Sequence, residues 1–144
     1  MKRSASHILS ALGCDGVELS ILLTDDETIR DLKFRYLGID SVTDVLAFPM
    51  DDMPLPDEDR LKMLGDVVIS VPTAFRMSRE HGCSLEMVLD LLLTHGILHL
   101  IGYDHATPQE ASMMDKKTTE LLSSLGYTSS SWTWYLTKCE ELNS

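Results

Sequence analysis

Cysteine is scarce in this chain of 144 residues. Cys14, Cys83 and Cys139 are odd in number, far apart and never in a Cys-x-x-Cys pair. That excludes a disulfide framework and a thiolate metal site, and it fits a reducing, cytoplasmic setting. A long apolar run is also missing. The most apolar stretch, 88–101, is interrupted by Asp90, His95 and His99. It falls short of the roughly 20 residues needed to cross a bilayer, so a buried core helix is expected instead. Residues 1–10 carry Lys2, Arg3 and His7 but too short an apolar stretch for a signal peptide. Positive charge is scarce as well: 12 Lys and Arg against 23 Asp and Glu leave a net charge of −11. Neutralised phosphates supply most of the affinity of a surface-wide nucleic-acid binder, so that class is excluded. Any nucleic-acid partner needs a local cationic patch, a metal or a docking protein. Anionic membrane surfaces are disfavoured for the same reason.

No internal repeat or low-complexity tract is present, and the length suits one domain, 1–144, with a core of its own. Residues 4–12 suggest a short helix ending at Gly13. From Val17 to Thr24, apolar Leu19, Ile21 and Leu23 alternate with other residues, the period of a strand. Asp25 or Asp26 caps a helix to about Tyr36, with Gly38 beyond it. Val45–Pro49 and Gly65–Val71 read as two further strands. Between them, residues 50–63 hold two prolines and five acidic residues, the composition of a solvated, mobile loop. Pro72 opens a helix to about His81, and Ser84 caps a longer one that runs to Ile101. Thr107, Pro108 and Glu110 then supply a cap, a first-turn proline and a capping-box partner for a helix to about Leu125. The tail, 128–144, is serine-rich, yet Trp132, Trp134, Tyr135 and Leu136 suggest that part of it packs back. The expected fold is α+β: a small mixed sheet packed with helices, with the central apolar helix carrying two histidines of a metal site.

Chemistry concentrates in His95-Gly-Ile-Leu-His99-Leu-Ile-Gly102-Tyr-Asp-His105. Residues four apart on a helix lie about 40° apart, one turn above the other, so His95 and His99 can converge on one ion. Continued as helix, His105 would sit some 240° round from His99 and about 9 Å further on, out of reach. Gly102 resolves this, because a left-handed stop lets the chain turn back and deliver His105. Three neutral imidazoles leave a tetrahedral zinc one open position, the arrangement of a catalytic site. Water at that position would ionise near pH 7. One zinc ion is therefore the expected cofactor, although nickel, copper and iron also accept such ligands. His7 and His81 have no partner at ligand spacing and read as surface or structural residues.

The spacing equals that of the metzincin peptidases, which need a glutamate after the first histidine as general base. Gly96 occupies that position and has no side chain, which argues against peptide hydrolysis. It also suggests room beside the metal for a bulky substrate. Asp104 can accept a proton from a ligand imidazole and orient it, or serve as a turn residue. Tyr103 reads as packing.

The string from His95 to His105 resembles the signature of the YbeY family of bacterial zinc-dependent rRNA-maturation endoribonucleases. Thr43-Asp-Val-Leu-Ala-Phe-Pro49 and Leu64-Gly-Asp-Val-Val-Ile-Ser70 agree in order and spacing, as do Glu110 and Met114, over roughly residues 17–127. The resemblance implies a metal-dependent, single-strand-preferring endoribonuclease. Its expected tasks are maturation of the small-subunit rRNA 3′ end and ribosome quality control, with the ribosome or ribosomal proteins as partners. It implies His95, His99 and His105 as zinc ligands. The family usually carries an arginine directly before the glycine ahead of the Thr-Asp-Val-Leu segment, thought to hold phosphate. Here Leu37 precedes Gly38, and Val42 replaces the usual proline. Arg35, two positions before Leu37, is the candidate to stand in, and Asp104 the candidate to orient a ligand.

Two groups, Arg30 with Lys33 and Arg35, and Arg76 with Arg79, are candidates for a phosphate track. Other readings remain open: a ribosome-associated factor that recruits partners through its acidic surface, or a metal hydrolase of a small ester or amide.

Overall fold

The computed structural model describes residues 1–14, 16–50 and 63–136. Most of the expected acidic loop, the last eight residues and Cys139 lie outside them. The elements run α1 (Lys2–Ala11), β1 (Glu18–Thr24), α2 (Asp26–Leu37), β2 (Val45–Pro49), β3 (Met63–Ser70), α3 (Val71–His81), α4 (Leu85–Leu100) and α5 (Pro108–Ser124). A short 3-10 helix, Ser129–Ser131, follows.

The caps explain where the helices begin. Asp25, Ser84 and Thr107 accept the backbone N–H groups of Thr28, Met87 and Glu110, as their sequence positions predict. The cap of α3 is Ser70, one residue earlier than the proline signal suggests, so β3 passes straight into the helix.

The sheet has three strands in the order β1-β3-β2, β1 parallel and β2 antiparallel to β3. As the central strand, β3 is covered on both faces, hence its unbroken Val67-Val68-Ile69. Val67 and Ile69 face the main core with Leu91, Leu92, Leu93, Ile97 and Leu98 of α4. Val68 points the other way, to Leu46 and Ile29 of α2. The sheet is thus a middle layer between α2 and the remaining helices. The alternation in β1 is only partly used: Leu19 and Ile21 pack against the core, but Leu23 is exposed because β1 is an edge strand. No single described helix is long and apolar enough to cross a membrane.

The stretch after α5 returns to the core as its aromatics suggest. Trp132 is fully buried and Tyr135 nearly so. Trp134 stacks on His81 with ring centroids 3.7 Å apart, and His7 meets the Ser124 hydroxyl at 2.9 Å. These contacts give the two remaining histidines structural roles.

Candidate metal centre

Helix α4 is apolar almost all round because it is enclosed by the sheet on one side and helices on the others. Its C-terminal turn emerges at a cleft, and there His95 and His99 bring their Nε2 atoms within 3.1 Å. The helix ends at Ile101. Gly102, at φ +107°, donates its N–H to the His99 carbonyl, and Tyr103 donates to that of Leu98. This is the paired hydrogen bonding of a Schellman stop, which satisfies carbonyls the helix leaves open. The chain reverses there, and His105 reaches the other two: one ligand nitrogen from each histidine lies within 4.8 Å of the others. Three nitrogens around a tetrahedral zinc would stand about 3.3 Å apart, so small rotations suffice.

Electrostatics favour the same use. Burial, reinforced by the other two imidazoles, pushes the pKa of His95 down to about 3. His99 is lowered too, by burial first and then by His105, with Asp104 and a backbone contact to Tyr103 opposing. At neutral pH both are therefore neutral lone-pair donors, the form a cation needs. The Nδ1 of His105 is buried with no hydrogen-bond partner among the described residues. A buried nitrogen left so is costly, and such clusters are expected where a ligand supplies the missing interactions. The residues present fit a metal ion.

Gly96 has a different reason from the one its motif position suggests. A Cβ there would lie 2.8 and 3.0 Å from the two γ-carbons of Val67 and 3.5 Å from a γ-carbon of Val45. The missing side chain lets α4 settle onto β3 and β2, so that space belongs to helix–sheet packing. Gly96 still forms part of the cleft wall, and it still offers no general base. The Asp104 carboxylate accepts the backbone N–H of its neighbour His105 at 2.7 Å, which is the turn role.

The cleft has a volume of about 790 Å³, and the three histidines share it with Thr43, Asp44, Tyr135, Lys33 and Arg76. Local sequence patterns mark Lys33 and Arg76 as candidates but not the other three. The Tyr135 ring stands edge-on to His95, centroids 5.5 Å apart, and its hydroxyl reaches Asp44 at 3.3 Å. Asp44 also accepts the N–H of Val45 and so stiffens the entrance to β2. No local pattern ties residues 91 positions apart. A small recess behind His95 and His105 is lined by Asp115 and Thr118. The candidate cations separate. Arg35 pairs with Asp31 at 3.1 Å on the exposed face of α2 and is not part of the cleft lining. Arg30 is held by Asp40 at 2.6 Å, and Arg79 lies over the Phe75 ring.

Comparison with known proteins agrees with these features. The chain matches the family described as Endoribonuclease YbeY over residues 1–126. It is 42% identical over 126 residues to the Endoribonuclease YbeY of Persephonella marina, covering 87% of this chain and 81% of that one. The Aquifex aeolicus protein of the same name is 46% identical over 121 residues, 84% of this chain and 76% of the relative. Among solved structures, a solution structure of a Thermotoga maritima protein aligns with a TM-score of 0.58 and 25% identity. It covers 96% of this chain and 84% of that one.

Proposed function

The chain belongs to the endoribonuclease YbeY family, and from that premise we propose that it is a zinc-dependent endoribonuclease of the cytoplasm. Its substrate is single-stranded RNA, cut during maturation of the small-subunit rRNA 3′ end and in ribosome quality control. The whole chain is then one nuclease domain that works with the ribosome or its proteins. The observation that carries this reading is the convergence of three imidazoles on the wall of an open cleft.

His95, His99 and His105 would hold the ion. Bound there, zinc supplies Lewis-acid polarisation of a phosphodiester and lowers the pKa of water. The remaining work falls to the chain itself. The burial of His95 keeps its own imidazole free of a proton at neutral pH. The Gly102 turn and the Asp104 cap hold His105 toward its partners. Tyr135 packs edge-on against the ring of His95 and helps to fix its orientation. With Gly96 where peptidases keep their base, proton transfer from water depends on other groups of the cleft, and among the described residues Asp44 is a carboxylate that lines it.

The test pairs metal analysis of the untagged protein with cleavage of a single-stranded RNA. Wild type should carry one zinc per chain and cut; His99→Ala should lose metal and cutting together. Metal-loaded protein that leaves RNA intact would sink the nuclease reading. A metal-free variant that still restored rRNA processing in cells would favour recruitment of partners by the acidic surface instead.

A further inference from the structure

A chain of net charge −11 must concentrate its attraction for RNA in a few places. Sequence proximity offers two clusters of cations, and the fold splits both. Arg30, Arg35 and Arg79 are engaged by Asp40, Asp31 and Phe75 outside the cleft. Among the described residues, Lys33, one turn before Leu37 on α2, and Arg76 of α3 are the Lys or Arg side chains that line the cleft with the histidines. They come from opposite groups and meet only in three dimensions.

Arg76 is also held in place. Its Nη2 donates to Asp26 Oδ2 and to Thr73 Oγ1, both at 2.9 Å. Asp26 is fixed in turn: the hydroxyls of Ser70 and Thr73 donate to its Oδ1 at 2.5 and 2.6 Å. These bonds, those from the two hydroxyls first, hold the carboxyl down at about pKa 2, so the anchor is ionised at any working pH. Only Nη2 of Arg76 is used among the described residues. The Nε and Nη1 groups keep their donors for a ligand, and a planar fork suits phosphate oxygens. A guanidinium fixed before binding also loses less side-chain entropy when it grips.

We propose that Arg76, oriented by Asp26, and Lys33 form the phosphate-binding subsite of the cleft and hold the RNA backbone beside the metal site. This rests on the endoribonuclease reading and adds which residues grip the substrate. Arg76 and Lys33 are binding residues, and Asp26 is a positioning residue.

The test is equilibrium binding of the metal-loaded protein to a fluorescein-labelled 2′-O-methyl RNA single strand over a range of salt concentrations. Each lost phosphate contact should lower the slope of log affinity against log salt by about 0.7. Arg76→Gln and Lys33→Gln should each show that loss, and Arg76→Lys should restore most of the slope. Asp26→Asn should weaken binding with the slope retained, since the charge of Arg76 remains. Arg79→Gln serves as the control and Arg35→Gln as the rival. Unchanged metal content and circular dichroism establish that each variant is folded. An unaltered slope in Arg76→Gln, or a loss in Arg35→Gln in its place, would overturn the proposal while leaving a protein that binds and cuts RNA. Wild type that binds no RNA would remove the endoribonuclease reading and this subsite together.

Discussion

Helices α4 and α2 both border the cleft, and they are built on opposite terms. Ten of the sixteen residues of α4 are buried, against one, Ile29, of the twelve in α2. Two of the three clustered histidines, His95 and His99, sit on the buried helix, with His105 brought to them by the turn that follows, and Lys33 of the exposed helix lines the same cleft. A ligand set must hold nitrogens to within a few tenths of an ångström, which only packed neighbours enforce. A long cationic side chain reaching for a phosphate tolerates a softer base. Substitutions near α4 should therefore be expensive and felt at the metal, and those on α2 and its anchors cheap and felt at the substrate.

The largest expected effect is at the α4–sheet contact. Gly96→Val drives new carbons into Val67, which is fully buried and has nowhere to go. Overpacking of this kind costs about 3 kcal/mol at the upper end of its range. Urea unfolding of the metal-free protein measures it. Adding Val67→Ala should return part of the loss, giving a coupling of at least about 0.5 kcal/mol. Strict additivity of the two changes would mean that α4 is not held against the sheet at this point.

Next comes the turn that closes the ligand set. Gly102 sits at φ +107°, with nothing near its missing side chain. Gly102→Ala therefore meets backbone strain alone, about 1–2 kcal/mol. Because His105 depends on that turn, zinc affinity measured by competition with a chelator should fall along with thermal stability. A stable variant with wild-type affinity would show that His105 reaches the site by some other restraint.

The difference between the helices also explains what the sequence could reveal. The histidines are legible because their geometry is local: a helical period and one glycine decide it. The caps at Asp25, Ser84 and Thr107 are legible for the same reason. Tyr135 against His95 is not, nor is its bond to Asp44, since tertiary packing alone joins them. Gly96 is visible as an absence, but its cause lies on β3, and the motif suggested room for substrate where Val67 stands. The cation clusters mislead for a related reason. Neighbours on a helix point in different directions, so Arg35 turns to Asp31 while Lys33 faces the cleft. Leu23 shows the limit of periodicity: alternation marks a strand without telling whether its edge is covered.

An effect of similar size, but confined to a pH window, should follow from the anchor of Arg76. The carboxyl of Asp26 is depressed from the usual 3.8 to about 2, by the Ser70 and Thr73 hydroxyls and then by Arg76. A carboxylate with a lowered folded pKa stabilises the fold fully above its unfolded pKa and loses that contribution as pH falls through the folded one. Asp26→Asn should thus cost about 1–2 kcal/mol at neutral pH, a figure reduced for the side chain's partial exposure. The gap from wild type should close between about pH 4 and pH 2. Urea midpoints across that range decide it, and a gap independent of pH would assign the loss to geometry instead of charge.

The smallest effect belongs to Arg35, which has the same side chain as Arg76 in a different setting. Its bond to Asp31 spans one turn of α2, with the two side chains 70% and 56% exposed. Such a pair contributes about 0.3–0.5 kcal/mol, because water screens the charges and two flexible chains must be ordered to make it. Arg35→Ala should therefore shift the urea midpoint barely at all, and high salt should erase even that difference. A loss several times larger would mean that Arg35 reaches past Asp31 to a partner that holds α2. The exposed helix would then be fixed by charge as firmly as α4 is fixed by packing, and the division of labour between them would fail.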